Sequence, residues 1–463
     1  MDTETAYNLA LDYLYSFVDY SLKHSSELAK ADFNLDRMFA LMDLLGNPQK
    51  KYPIIHVAGT KGKGSVSALC ASALQAAGYN VGLYTSPHLE DYCERIQVNG
   101  EPIVHERMVE LVEEIKPAVA QVEKLTTFEI TTALAFMAFA KQNVNAAVVE
   151  VGLGGRLDAT NIVTPCVSVI TSLSYDHMLV LGDTLAKIAG EKAGIIKPGV
   201  PVVSSPQKDE ALEVLLRIAN ERGCELTLVG RDVEFQRIAH ALDRQRFKVS
   251  TGALRLRLAE PRSAQCEVKL QIPLLGSHQV ENAATAYTAL KISGLQLADA
   301  DIRKGFSQVK WPARFQIVRG EPPVIFDSAH NQDSFQKLRE TLEENFPGTQ
   351  VYLIFGASED KNIPGMFAEM KPKIKRLIVT RADHPRALEV EKIQGLADQA
   401  GVPHEAVIPV DAAFKRALEL SSKDGSIVLS AGSMFVTAEV MTAWKKIPQP
   451  TPSPTGRGVP KAG

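Results

Sequence analysis

"HVAGTKGKGSVSALCASALQAAG", residues 56–78, joins an apolar run to a small-residue helical stretch through Gly59, Thr60, Gly62, Lys63, Gly64 and Ser65. The run "PIIHVAG" reads as a strand, and residues 64–77 read as a helix. Backbone amides in such a turn, with a helix N-terminus behind them, form an anion site, and glycine lets the chain close around phosphate oxygens. Lys63 is then placed to neutralise β- and γ-phosphates. The spacing is G-x-x-G-K-G-S, shorter than the usual G-x-x-x-x-G-K-[ST], and glycine stands where a magnesium-binding hydroxyl normally follows the lysine. The competing reading is a glycine-rich turn used only for packing, which requires neither Lys63 nor a strand–helix junction.

Outward from this turn, strand and helix patterns alternate. Residues 4–45 carry apolar positions at helical spacing and stop at Gly46-Asn47-Pro48. "NVGLYT", "AAVVEVG", "CVSVITS" and "PVVSS" read as strands, and 104–120, 127–141 and 183–193 as helices. This pattern specifies a mostly parallel sheet covered on both faces. The region 226–275 changes character, with "FKVSTGALRLRLA" and "CEVKLQIPLLG" reading as antiparallel strands before a helix at 278–293. After "WPARF" the alternation restarts with "PVIFDSAHN", "QVYLIFGAS", "RLIVTRA" and "SIVLSAGS". The expected fold is α/β in two domains. Residues 1–310 form an N-terminal P-loop-type, mostly parallel sheet plus a small antiparallel segment, and residues 311–447 form a C-terminal Rossmann-like domain. Residues 448–463, rich in Pro, Gly and Ser, read as a disordered tail.

A length of 463 residues exceeds what one hydrophobic core usually serves, which agrees with two domains. Hydrophobic content of 45% and a net charge of −3 argue against a nucleic-acid or polybasic membrane surface. Five dispersed cysteines without a CxxC pair disfavour a disulfide scaffold or a zinc site. "MDTETAYNLALDYLYS" lacks a secretory pattern, and "ITTALAFMAFA" (130–140) is about half the roughly 20 residues of a membrane span. The expectation is a cytoplasmic protein with neither nucleic-acid nor membrane partners.

With no hydroxyl directly after Lys63, magnesium must find ligands elsewhere. Ser86 in "LYTSPH", Glu150 in "AVVEVG" and His177 in "SYDHMLVLG" all follow apolar runs, so a parallel sheet collects them at its carboxyl edge. Oxygen donors suit magnesium; His177 is a less usual ligand, and a packed or capping histidine is the alternative. "VEVGLGGRLDATN" adds Arg156 and Asp158 beside Glu150, available to a substrate.

"HVAGTKGKGS", "TSPHL", "ERIQVNG", "LTTFE", "EVGLGGRLDATN", "DHMLVLGDTLAKIAGEKAGIIKPG", "GSHQVENAATA", "WPARFQ" and "DSAHN" follow one another between about residues 30 and 440. In this order they resemble the successive motifs of the folylpolyglutamate synthase and dihydrofolate synthase family of the Mur ligase superfamily. The resemblance implies an ATP-dependent ligase that joins L-glutamate to a folate or pteroate carboxylate through an acyl phosphate. By position, Ser86, Glu150 and His177 match the family's magnesium ligands, and Lys192 matches a lysine carbamylated by carbon dioxide. Read without the resemblance, Lys192 is a solvated helix lysine.

The resemblance also implies that Asn282 meets an adenine edge, Arg314 a phosphate and Asp327 the ribose hydroxyls. His330 and Ser433 match positions near the incoming glutamate; a strand-end turn with an Asx cap is the alternative for Asp327 and His330. Thr126, Phe128, Arg156 and Asp158 are the candidates for the pterin pocket. ATP and Mg2+ are the implied cofactors, with K+ a further candidate. The substrates are L-glutamate, a reduced folate and, for a bifunctional enzyme, dihydropteroate. A monomer is the usual state in the family. Lys61, Tyr175 and Ser328 depart from the family pattern, Lys61 by adding charge beside the phosphates. A cell-wall ligase acting on a UDP-linked precursor and a non-ligating P-loop module are the competing functions.

Overall fold

The structure, a computed structural model, describes residues 1–20, 33–251, 266–320 and 322–447. The tail at 448–463 and the "GALRLRLA" part of the expected antiparallel strand lie outside these residues. Three sheets organise the described chain. The first contains β1 (Ile54–Ala58), β2 (Val81–Tyr84), β3 (Ile96–Val98), β4 (Glu101–Pro102), β5 (Ala146–Glu150), β6 (Val167–Ile170), β7 (Val202–Ser204) and β8 (Leu226–Leu228). Their order is β4-β3-β2-β5-β1-β6-β7-β8. From β2 to β8 all pairings are parallel, and β3 and β4 add an antiparallel edge.

Every residue of β1 and β5 is buried, as expected for central strands covered on both faces. Helices Thr3–Tyr15, Asp36–Leu44, His105–Val119 and Thr127–Lys141 cover one face. The other face packs against Lys63–Ala76, Ser277–Ile292 and Asp299–Gln308. Thr127–Lys141 has little amphipathic character because it is enclosed, with Ile130 through Ala138 all buried. Among the described residues, no helix is long and apolar enough to cross a membrane.

The second sheet is antiparallel, β9 (Val233–Ala241), β10 (Arg244–Thr251) and β11 (Cys266–Ile272), in the order β11-β10-β9. Residues 226–228, expected in this segment, instead extend the first sheet by pairing with β7 in parallel. The third sheet has β12 (Gln316–Gly320), β13 (Pro323–Phe326), β14 (Val351–Phe355), β15 (Ile374–Val379), β16 (His404–Ala406) and β17 (Ile427–Ala431). Its order is β12-β13-β17-β14-β15-β16, parallel except for β12. Separate apolar clusters fill its two faces. The chain is thus a two-domain α/β protein.

In both main sheets a strand is inserted between sequence neighbours, which leaves a crevice at the carboxyl edge. The expected continuous helical pattern over 4–45 resolves into Thr3–Tyr15 and Asp36–Leu44, with 21–32 outside the described residues. Small residues allow the Lys63–Ala76 helix a close approach to its neighbour: a Cβ on Gly305 would lie 2.4 Å from Ala73 Cα and 2.5 Å from Ser72 O. Gly305→Ala is therefore expected to destabilise the fold by about 1–3 kcal/mol through overpacking. Urea unfolding measures it, and an unchanged midpoint would refute the tight contact.

Candidate active site

β1 ends at Ala58 and the helix begins at Lys63, so four residues make the turn. Gly62 holds φ +88°, a left-handed conformation favouring glycine, and a Cβ there would meet Asn282 Oδ1 at 2.2 Å. Among the described residues, no side chain caps the helix at Gly62. The amides of Thr60 and Lys61 are occupied, both donating to Ser172 O at 3.0 and 3.1 Å. Those of the first helical turn, Lys63, Gly64 and Ser65, point along the axis into the crevice, where an anion is the natural partner. Thr60 Oγ1 donates to Ser174 O at 3.1 Å, so Thr60 braces the turn with both of its groups. A Cβ on Gly59 would lie 1.8 Å from Thr171 Oγ1, and one on Gly64 would lie 2.8 Å from Trp311 Cζ2. Among the described residues, the buried Trp311 Nε1 beside Gly64 has no hydrogen-bond partner.

Lys63 Nζ stands 3.8 Å from Glu150 Oε1. Burial pushes the Glu150 carboxyl up, opposed by the charges of Lys63 and Arg314 and by the Ser86 amide, which donates to it. A buried carboxylate with the Ser86 backbone beside it offers oxygen donors, the type that magnesium takes. His177 follows β6 with φ +49°; burial lowers its pKa to about 4, so its imidazole is neutral and keeps a lone pair. Lys192, at the end of the helix Leu185–Lys192, is 5% exposed and donates to Gly59 O at 2.9 Å. Burial first, and then the charge of Lys63, lowers its pKa to about 7.

Across the crevice, Asp327 accepts from the amides of Phe315 and Ala329, both at 2.8 Å, and so fixes the "WPARF" turn. Arg314 hydrogen-bonds Ser328 Oγ, and its charge acts on both Asp327 and Glu150. Asn282 donates to Gln279 Oε1 at 3.0 Å and lies buried over the phosphate loop. His330 Nδ1 donates to Ser328 O at 2.8 Å, which turns Nε2 toward Lys61 Nζ at 3.5 Å. Burial and Lys61 lower its pKa to about 3, so Nε2 is unprotonated.

Sequence reading missed the centre of this interface, Asp176. Its carboxylate accepts from Lys61 at 3.1 Å, and across the crevice from Lys361 and Asn331, both at 3.3 Å. Lys361 also pairs with Asp360 at 3.2 Å, and Asp360 with Arg386 at 2.8 Å. Lys61 therefore faces Asp176 and His330. The signal was present: Asp176 precedes His177 in "SYDHM", and Lys361 follows the carboxyl end of β14 in "IFGASEDKN".

The pterin candidates form a less uniform group. Thr126 caps the helix Thr127–Lys141 in a capping box with Glu129, which Arg37 pairs at 3.1 Å. The Phe128 ring covers Gly152, where a Cβ would meet Cζ at 2.5 Å, and lies 6.2 Å from the Tyr84 ring. Arg156 pairs with Glu191 at 2.9 Å and is half exposed. Asp158 is buried and holds its own loop, accepting from Leu153 N at 2.8 Å and Thr160 N at 3.0 Å. Ser433 caps the final helix, Met434–Lys445, and lines a small cavity with Ser358, Arg381, His384 and Phe435.

Residues 57–290 match the Mur ligase middle domain, and residues 313–434 match the Mur ligase glutamate ligase domain. The chain is 34% identical over 447 residues to a dihydrofolate synthase/folylpolyglutamate synthase of Bacillus subtilis, covering 94% of this chain and 98% of that one. A protein of the same description from Mycobacterium tuberculosis is 36% identical over 399 residues, covering 81% and 80%. The fold matches a solved structure of Mycobacterium tuberculosis folylpolyglutamate synthase complexed with ADP. That match has a TM-score of 0.85 and 31% identity, and it covers 97% of this chain and all of the other. With both ligase modules matched and 94% of its length aligned to a relative 34% identical, the chain belongs to the folylpolyglutamate synthase/dihydrofolate synthase family of Mur ligases.

Proposed function

We propose that the protein is an ATP-dependent ligase that joins L-glutamate to the carboxylate of a folate, with dihydropteroate as a second acceptor. One observation carries the reading: uncapped amides and Lys63 on one side of a crevice face Arg314, Asp327 and His330 on the other. A carboxylate does not react with an amine at neutral pH until it bears a leaving group. Attack of the acceptor carboxylate on the γ-phosphorus, with departure of ADP, forms an acyl phosphate. Glutamate's amine then adds to the acyl carbon, loses a proton and expels phosphate.

Such a reaction depends on positioning and charge neutralisation more than on covalent help from the protein. The first-turn amides and Lys63 hold β- and γ-phosphate oxygens, while Arg314 approaches the same oxygens from the second domain. Asn282 and Asp327 take the adenine edge and the ribose. His330, with Nε2 unprotonated and oriented by Ser328 O, faces the incoming glutamate with Ser433. Phe128, Thr126, Arg156 and Asp158 shape the acceptor end. Glu150, Ser86 and His177 would hold magnesium, which when bound neutralises charge on the phosphoryl oxygens. The low pKa of Lys192 supports its carbamylation, since only the neutral amine takes up carbon dioxide. Closure across Asp176 would exclude water from the acyl phosphate. A cytoplasmic monomer, with potassium as a further activator, completes the proposal.

Purified protein given ATP, glutamate and either tetrahydrofolate or dihydropteroate is expected to release phosphate and add one glutamate mass per turnover. Turnover without glutamate would sink the assignment. Lys63→Ala should lower kcat/KM by at least about 10²-fold with an unchanged circular dichroism spectrum; wild-type rates would remove the loop's role. Lys192→Ala should be severely impaired and partly rescued by a short-chain carboxylic acid. For the same lysine the sign with pH is fixed. Below about pH 7 the amine is protonated, so bicarbonate-stimulated activity should fall on acidification through that value, and a flat profile with pH and bicarbonate would count against the carbamate. Asp176→Asn leaves Lys61 and Lys361 facing each other without their shared anion, so the domains should separate, seen as a larger radius of gyration in X-ray scattering.

A further inference from the structure

Away from the crevice, Asp91, Cys93 and His105 bring one oxygen, one sulfur and one nitrogen within 4.8 Å of one another. Each residue is held by contacts that turn one donor atom toward the other two. Asp91 Oδ1 accepts from Cys93 N at 2.7 Å and from Tyr7 OH at 3.1 Å, so Oδ2 faces the cluster. His105 Nδ1 meets Glu4 Oε1 at 2.7 Å, and its ring stacks on Tyr7 at 3.7 Å and 7°. Its Nε2 therefore points inward, 2.9 Å from Asp91 Oδ2. Cys93 is 2% exposed, and its Sγ lies 3.6 Å from Tyr7 OH.

The cluster borders an open cavity of about 370 Å3 whose wall also carries Glu4, Glu94 and Glu106. Among the described residues, His105 is the only basic side chain in that wall. Glu94 is engaged with the amides of Leu89, Glu90 and Asp91, and Glu106 accepts from Thr3 Oγ1. The local field is thus negative and favours a cation.

We propose that Asp91 Oδ2, Cys93 Sγ and His105 Nε2 form a binding site for a divalent transition metal of the zinc class. The mixed sulfur, nitrogen and oxygen set selects such an ion over magnesium or calcium, which take oxygen donors. Three protein ligands beside an open cavity leave the fourth tetrahedral position to water. Glu4 is the carboxylate that accepts Nδ1–H and orients the ring, the usual partner of a metal-bound histidine. On binding, the metal replaces the proton shared by His105 and Asp91, and the Cys93 thiol gives its proton to solvent. No oxidation is involved. The site differs in kind from the crevice, where Glu150 and Ser86 offer no sulfur, and it ties the helix Thr3–Tyr15, through Glu4 and Tyr7, to the helix starting at His105.

The test uses the full chain, stripped of metal by chelation and titrated with Co2+ in excess Mg2+. One equivalent is expected to give a thiolate-to-cobalt charge-transfer band that Zn2+ abolishes. Cys93→Ser should eliminate the band while the other cysteines remain. His105→Gln and Glu4→Gln should each weaken Co2+ binding by about tenfold or more, and Zn2+ should raise the Tm of the wild type but not of Cys93→Ser. Should Cys93→Ser fail to fold, the partly exposed His105→Gln variant carries the comparison. Absence of the band, its persistence in Cys93→Ser, or unchanged affinity in His105→Gln would overturn the site and leave a protonated His105 clasped by two carboxylates.

Discussion

The left-handed turn at Gly62 sets the position of the whole crevice. It brings the chain from a fully buried strand directly into a helix whose first amides have no side-chain cap, and it does so against Asn282, with no space for a Cβ. Trp311 closes on Gly64 in the same way. Residues more than 200 positions apart are therefore held in contact by the absence of two side chains. The glycine turn, the helix carrying Asn282 and the segment at Trp311 that leads into the third sheet are thus one packed unit.

Electrostatics divides the labour inside that unit. Lys61, Lys63, Lys192, Lys361 and Arg314 approach the crevice, opposed by Glu150, Asp176, Asp327 and Asp360. Burial raises the cost of every uncompensated charge, and the groups respond differently. Asp176 stays ionised because lysines flank it on both sides, and the cations hold its carboxyl far below the usual range. Lys192 is buried and donates to the Gly59 carbonyl, and burial makes its charged form costly, so its proton is held weakly. His177 and His330 remain neutral. The same low-dielectric setting thus yields a fixed anion shared by lysines from both sides, an amine of lowered pKa and two unprotonated imidazoles.

Much of this was legible before folding. Runs such as "PIIHVAG" and "AAVVEVG" announced central strands because burial on both faces admits no polar alternation, and helix 127–141 was read with its observed bounds. Strand ends in a parallel crossover sheet share one edge, and across the neighbouring strands β2 and β5 the Ser86 amide reaches the Glu150 carboxyl. The β3–β4 hairpin and the sheet allegiance of residues 226–228 were less legible. Short edge segments carry too few residues for periodicity to identify a partner. Asp158 and Thr60 showed a related limit: composition shows that a polar group stands in a loop, but not that its own loop engages it, as for Asp158, or the loop after β6 does, as for Thr60.

Order along the chain therefore determined the α/β class, the phosphate turn and the chemical types gathered near it, because buried strands and glycine turns leave local patterns. Tertiary structure alone decided which charges share a partner. Asp176 joins Lys61 to Lys361, 300 positions apart, and the cluster of Asp91, Cys93 and His105 forms where a loop meets a helix start under Tyr7. Such pairings depend on distances across folded elements, and no local periodicity encodes those.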